Sequence, residues 1–198
     1  MSKILVLKSS IMREQSHTSG LIDAFLSDRK SKGYDDEIIQ HDLTTMDLPV
    51  LDSELFSALR GGKNPSERAR HVVALSDRLI AELKSSDLLV IGAPMYNLSI
   101  PTQLKNWLDL VVRAGLTFKY TETYPAGLVE NVRAVVISSR GGVHLNQPTD
   151  TVTPHMQSVL GLIGINDVQF IYAEGLDIRP HGLEAGLADA RNQIVELI

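Results

Sequence analysis

Asp87-Leu88-Leu89-Val90-Ile91-Gly92-Ala93-Pro94-Met95-Tyr96-Asn97 runs from an unbroken apolar stretch into a polar loop. Nothing alternates between Leu88 and Ala93, so the stretch fits a strand buried on both faces and not one with a wet side. Pro94 biases Ala93 toward extended backbone, and the chain leaves the strand end as a loop. Pro101 then suits the first turn of a helix, where its missing N–H would be unpaired anyway. That helix runs to about Ala114 and stops at Gly115. A doubly buried strand followed by a helix is the repeating unit of a parallel sheet.

The same unit recurs on both sides. Lys3–Lys8, Val132–Ser138 and Val168–Ala173 are further apolar strands, and Asp36–His41 alternates enough for an outer one. Helical spacing covers Ser16 to about Lys32, with Gly33 as its C′ residue, then Pro65 to Lys84 capped by Asn64 or Ser66. Further helices begin at Thr153-Pro154, ending near Gly164, and at Leu183, ending at Ile198. Leu43–Pro65 is an irregular excursion with a short helix near Asp52–Leu59, and Thr117–Thr121 extends as a hairpin arm. The expected fold is α/β: a three-layer sandwich, a mainly parallel five-stranded sheet with helices on both faces, in one domain over residues 1–198.

Bulk properties exclude several function classes. With 198 residues, 43% hydrophobic and 22% charged, the chain can bury a sizeable core. A net charge of −5 argues against a nucleic-acid partner. Without cysteine there is no thiol nucleophile, disulfide or thiolate metal site. His17, His41 and His71 lack metal-ligand spacing, so no metal is assigned. No stretch approaches the ~20 apolar residues of a membrane span, and the expected compartment is the cytoplasm.

Three strand ends carry the chemistry. Ser9-Ser10 with Ser16-His17-Thr18 puts hydroxyls around a helix start, where free N–H groups and the helix dipole favour a phosphate. Pro94-Met95-Tyr96-Asn97 offers an aromatic wall and an amide. Ser138-Ser139-Arg140-Gly141-Gly142-Val143-His144 offers glycines that let backbone approach a ligand closely, with His144 as a proton donor beyond. A doubly wound sheet gathers such ends in one crevice, and a phosphate, an apolar ring and a polar ring edge together describe flavin mononucleotide (FMN). Neither G-x-x-x-x-G-K-[ST] nor G-x-G-x-x-G is present, which disfavours a P-loop or a dinucleotide-binding Rossmann domain. Each segment alone also reads as an ordinary cap, turn or solvent-facing loop.

Together these segments resemble the FMN-dependent NADH-azoreductases, a branch of the flavodoxin-like NAD(P)H:quinone reductases. Ala93-Pro94-Met95-Tyr96-Asn97 with Ile100–Trp107, then Arg113-Ala114-Gly115-Leu116-Thr117-Phe118-Lys119-Tyr120-Thr121, then Ser138–His144 carry the likeness in order. The resemblance implies a flavodoxin-like fold, a homodimer and one FMN per subunit. It implies phosphate contacts at Ser10, Ser16, His17 and Thr18, and ring contacts at Met95, Tyr96, Asn97, Leu98, Ser139, Arg140, Gly141, Gly142 and His144. Asn97, Leu98, Phe118, Tyr120 and Leu162 would form the substrate pocket, with Phe118 and Tyr120 reaching from the partner subunit. Three positions depart from the family pattern: His17 replaces a frequent glutamine, and Leu98 and Leu162 stand where relatives often carry phenylalanine.

The implied activity is ping-pong oxidoreduction, in which NADH or NADPH reduces the flavin and a quinone or azo compound then takes two electrons. The flavin carries that chemistry while the protein positions it; His144 and Tyr120 are the candidates for any acid role. One rival is a flavodoxin-type electron carrier, against which the Phe118–Tyr120 arm and the Leu43–Pro65 excursion favour an enclosed enzyme site. The other is a hydrolase such as an acyl carrier protein phosphodiesterase, for which the chain offers no G-x-S-x-G elbow.

Overall fold

The computed structural model describes residues 2–198. Five parallel strands form its sheet: β1 (Ser2–Lys8), β2 (Asp36–Asp42), β3 (Leu88–Gly92), β6 (Arg133–Ser139) and β7 (Val168–Ala173), in the order β2-β1-β3-β6-β7. The two short intervening strands, β4 (Phe118–Lys119) and β5 (Ala126–Gly127), pair antiparallel as a separate arm. Val6 lies opposite both Gln40 of β2 and Val90 of β3, so β1 lies between these two strands and the strand order reverses there. This is the flavodoxin-like strand order, whose switch point lies between β1 and β3.

Doubly buried strands need cover on both faces. Ile4, Val6, Leu88, Val90, Val135 and Ile137 pack against α1 (His17–Ser31) and α6 (Gly182–Leu197). The opposite side chains of the same strands, including Leu5, Leu7, Leu89, Ile91 and Val136, pack against α2 (Ser53–Leu59), α3 (Glu67–Lys84), α4 (Thr102–Val111) and α5 (Val152–Ile163). Trp107 is enclosed in this second core, consistent with packing at that position.

The helix limits follow local chemistry. Ser16, Asp52 and Ser66 each accept a main-chain N–H two or three residues into α1, α2 and α3. Gly33 follows α1 at φ 87°, as expected of a C′ glycine. Two expectations shift. Pro101 is the cap before α4 and not its first residue. That helix also ends at Val111, three residues short of Ala114. There the Thr117 hydroxyl donates to the Val111 carbonyl at 2.7 Å and accepts from the Arg113 N–H at 2.9 Å, replacing the next helical turn. Among the described residues, no helix is long and apolar enough to cross a membrane.

Candidate active site

At the switch point, hydroxyls stitch the strand ends together. Ser9 Oγ donates to the Gly92 carbonyl at 2.6 Å, joining the ends of β1 and β3. The Ser10 and Tyr96 hydroxyls meet at 2.9 Å, and those of Thr18 and Ser139 at 2.5 Å. Met95 N–H donates to the Ser139 carbonyl at 2.9 Å, fixing the loop after β3 to the end of β6. A cavity of about 340 Å³ opens here, lined by Ser10, Ser16, His17, Met95, Tyr96, Ser139, Arg140 and Gly141. Three segments chosen from sequence therefore do converge.

One end of the cavity suits an anion. Ser16 caps α1 through Oγ, which accepts from Ser19 N–H at 3.0 Å, while its carbonyl accepts from Gly20 N–H at 3.0 Å. The N–H groups of His17 and Thr18 keep no acceptor among the described residues, and the first turn carries no acidic side chain. Two orphan donors at the positive end of a helix, with hydroxyls beside them, match a phosphate. The cap role of Ser16 and its place on the cavity wall are thus compatible.

Tyr96 N–H and carbonyl pair with those of Ser99 at 2.9 and 3.0 Å, closing a two-residue turn. Asn97 and Leu98 sit in it at φ 49° and 62°. A left-handed leucine is strained, and Leu98 is nonetheless exposed. Thr151 Oγ1 donates to its carbonyl, tying the turn to the start of α5. The turn continues directly from the Met95–Tyr96 wall.

Arg140 divides between crevice and core. Its main chain lines the cavity, but its guanidinium is enclosed away from solvent. Nη2 lies 3.0 Å from Asp150 Oδ1 and 2.9 Å from Thr153 Oγ1, and Nη1 lies 3.1 Å from Glu174 Oε1. It also sits 4.8 Å from the centroid of the Tyr172 ring. A buried cation requires such partners, so the guanidinium braces the loop from beneath and is not free to address a ligand. Burial opposes ionisation of Asp150, yet hydrogen bonds from Thr153 and Arg140 outweigh it and hold the carboxyl below its usual range.

Glu174 Oε1 also accepts from His144 and Leu145 N–H at 2.8 and 2.9 Å, so the whole 140–145 turn is pinned. The carbonyls of Gly141 and Gly142 accept from Asp177 and Gly175 N–H, at 3.0 and 2.9 Å. Their own N–H groups have no acceptor among the described residues. Those donors fit the oxygen-rich edge of a flavin ring. His144 stands against Gly142, with Nδ1 2.9 Å from Thr149 Oγ1.

The expected substrate pocket is not assembled within one chain. Phe118 and Tyr120 contact each other edge-on at 5.4 Å. They line a second cavity of about 350 Å³ with Leu51, Phe56 and Val112, separate from the crevice. Leu162 is half-buried on α5 and lines neither cavity. Met12, Gln15, Leu176, Asp177 and Leu183 line the crevice without having been singled out from sequence. The last three follow β7, and the rule that strand ends gather at the switch point extends to that loop as well.

The chain matches the flavodoxin-like fold family model over residues 2–198. It is 66% identical over 194 residues to FMN-dependent NADH:quinone oxidoreductase 4 of Burkholderia lata, covering 98% of each chain. It is 59% identical to the FMN-dependent NADH:quinone oxidoreductase of Aeromonas salmonicida, covering 100% of this chain and 99% of that one. The crystal structure of an azoreductase from Bacillus anthracis superposes with a TM-score of 0.88 at 27% identity, covering 100% and 98% of the two chains. With the flavodoxin-like strand order and a crevice formed at its switch point, the chain belongs to the family of FMN-dependent NADH:quinone oxidoreductases.

Proposed function

We propose that this protein is an FMN-dependent oxidoreductase that uses NADH to reduce quinones by two electrons, and that it also cleaves aromatic azo compounds. The observation that carries the reading is the switch-point crevice, with orphan N–H groups at the start of α1 and again at Gly141–Gly142. The first pair holds the phosphate with Ser10, Ser16, His17 and Thr18; Met95 and Tyr96 wall the ring; the glycine N–H groups meet its polar edge. When bound, FMN supplies reversible two-electron chemistry to nicotinamide and acceptor in turn. The residues bind, orient and set the local charge.

The working unit is a homodimer. Supporting this is Tyr120 of the arm, 64% exposed, and the Phe56-lined cavity beside it, which shares no lining residue with the crevice. Paired copies would bring this apolar surface over each other's crevice and complete the acceptor pocket with Asn97 and Leu98. Sedimentation at micromolar concentration tests the stoichiometry, and a monomer that reduces quinone at full rate removes the arm from the site. His144, beside Gly142, is our candidate for supplying a proton, with Tyr120 as the alternative. A His144→Ala enzyme with unchanged rate and pH profile would exclude it.

The deciding experiment is an absorbance spectrum, followed by anaerobic NADH and then a quinone in the same cuvette. A yellow protein that bleaches and regains colour supports the reading. A carrier would bleach only with a separate reductase, and a protein that takes up no FMN overturns the assignment.

A further inference from the structure

We propose that Asp177 accepts a hydrogen bond from the N3–H of the flavin ring, and that its charge makes the bound cofactor a stronger reductant. The inference rests on the FMN reading of the crevice and deepens it.

Asp177 lies in the loop after β7 and lines the crevice. Its N–H donates to the Gly141 carbonyl at 3.0 Å, which sets the distance between the two loops. Its carboxylate rests on Gly141, where a methyl group would collide with Oδ2. Neither carboxylate oxygen has a hydrogen-bond or ion-pair partner among the described residues. The guanidinium at the neighbouring position, Arg140, is already committed to Asp150 and Glu174. The crevice wall therefore presents one uncompensated negative charge.

Beside that charge stands the Gly141 N–H, which also has no partner among the described residues. A donor and an acceptor side by side complement a ligand edge that offers a carbonyl next to an N–H. The pyrimidine edge of oxidised flavin carries two carbonyls, and N3–H lies between them as the ring's one N–H. Like charges repel, so the phosphate is the less favourable neighbour for Asp177 and the ring edge the better one. Gly141 N–H on a ring carbonyl and Asp177 on N3–H together satisfy both protein groups.

The carboxylate then acts differently on the two redox forms. Reduction adds electron density to the pyrimidine ring, and a fixed negative charge nearby disfavours it. Oxidised FMN gains a charge-assisted hydrogen bond, while reduced FMN gains less. The difference lowers the reduction potential and favours electron transfer onward.

Fluorescence titration with FMN and N3-methyl-FMN, plus dye-equilibrated potentials, tests this on wild type, Asp177→Asn and Asp177→Ala. Asp177→Ala should weaken oxidised FMN about tenfold and leave N3-methyl-FMN unchanged, since the donor is already gone. Asp177→Asn keeps an acceptor and drops the charge; the ratio of reduced to oxidised dissociation constants should fall about tenfold, equal to about 30 mV upward for a two-electron couple. Equal losses of both flavins in Asp177→Ala would place the carboxylate on the ribityl chain and overturn the proposal. Unchanged affinities and potential would make it a solvent carboxylate. A wild type that binds no FMN would overturn the reading of the crevice itself.

Discussion

The Arg140 guanidinium and the Glu174 carboxylate meet at 3.1 Å, and the same carboxylate oxygen holds the His144 and Leu145 N–H groups. One buried ion pair thus fixes the turn that faces the crevice. Removing one member of such a pair strands the other charge, at a cost of about 3–5 kcal/mol. Glu174→Ala should lower unfolding free energy toward the bottom of that range, because Asp150 still faces Arg140. It should also release the 140–145 turn and weaken FMN. Urea denaturation with a parallel FMN titration checks both; lost stability with unchanged affinity would separate the pair from the site.

Ser16 serves both helix and crevice, and the two roles are separable. Its Oγ caps α1 at Ser19 N–H, a bond worth about 1 kcal/mol. Ser16→Ala should lose that stability and bind FMN about tenfold more weakly, while riboflavin, which has no phosphate, binds as to wild type. Equal weakening of both flavins would mean the substitution acts by distorting the fold.

Most of the sheet was legible because a strand buried on both faces shows as an unbroken apolar run, as in Leu88–Ala93. The crevice loops were legible for a related reason: parallel strand ends share one edge. Arg140 was not, because its position in a loop says nothing about which way the side chain turns. Its partners, Asp150 and Glu174, lie 10 and 34 residues away in sequence. Asp177 was hidden likewise, since its contact with Gly141 is created by loop packing alone. Phe118 and Tyr120 form the expected arm, yet both line a second cavity and not the crevice of their own chain, a placement that spacing in the sequence does not reveal.

Two glycines distinguish backbone crowding from side-chain crowding. A methyl at Gly127 would collide with the Gly164 backbone, where Leu128 and Val129 N–H both reach the Ile163 carbonyl at 3.1 and 2.9 Å. Backbone cannot swing aside, so Gly127→Ala should cost about 1–3 kcal/mol of stability. At Gly141 the obstructing atom belongs to the Asp177 side chain, which can rotate. Gly141→Ala should keep most of its stability and lose FMN affinity instead. Thermal unfolding and FMN titration of the two variants should therefore rank them in opposite orders.

His155 gives the fold an acid sensitivity that lies outside the crevice. Its Nε2 is buried without a hydrogen-bond partner among the described residues. Burial first, then the Lys105 ammonium, hold its pKa below the usual histidine value, against an opposing pull from Asp109. The unfolded chain then takes up a proton near pH 6.5 that the folded chain resists. Stability from this site is complete above that pH and falls as the pH drops through 6.5 toward the lower folded value. His155→Phe removes both the titration and the orphan nitrogen, whose burial costs about 1–3 kcal/mol. The variant should be more stable at pH 7.5, and its advantage should widen between pH 6.5 and 5. Urea midpoints across that range decide it: parallel curves for the two proteins would show that the imidazole titrates alike in both states.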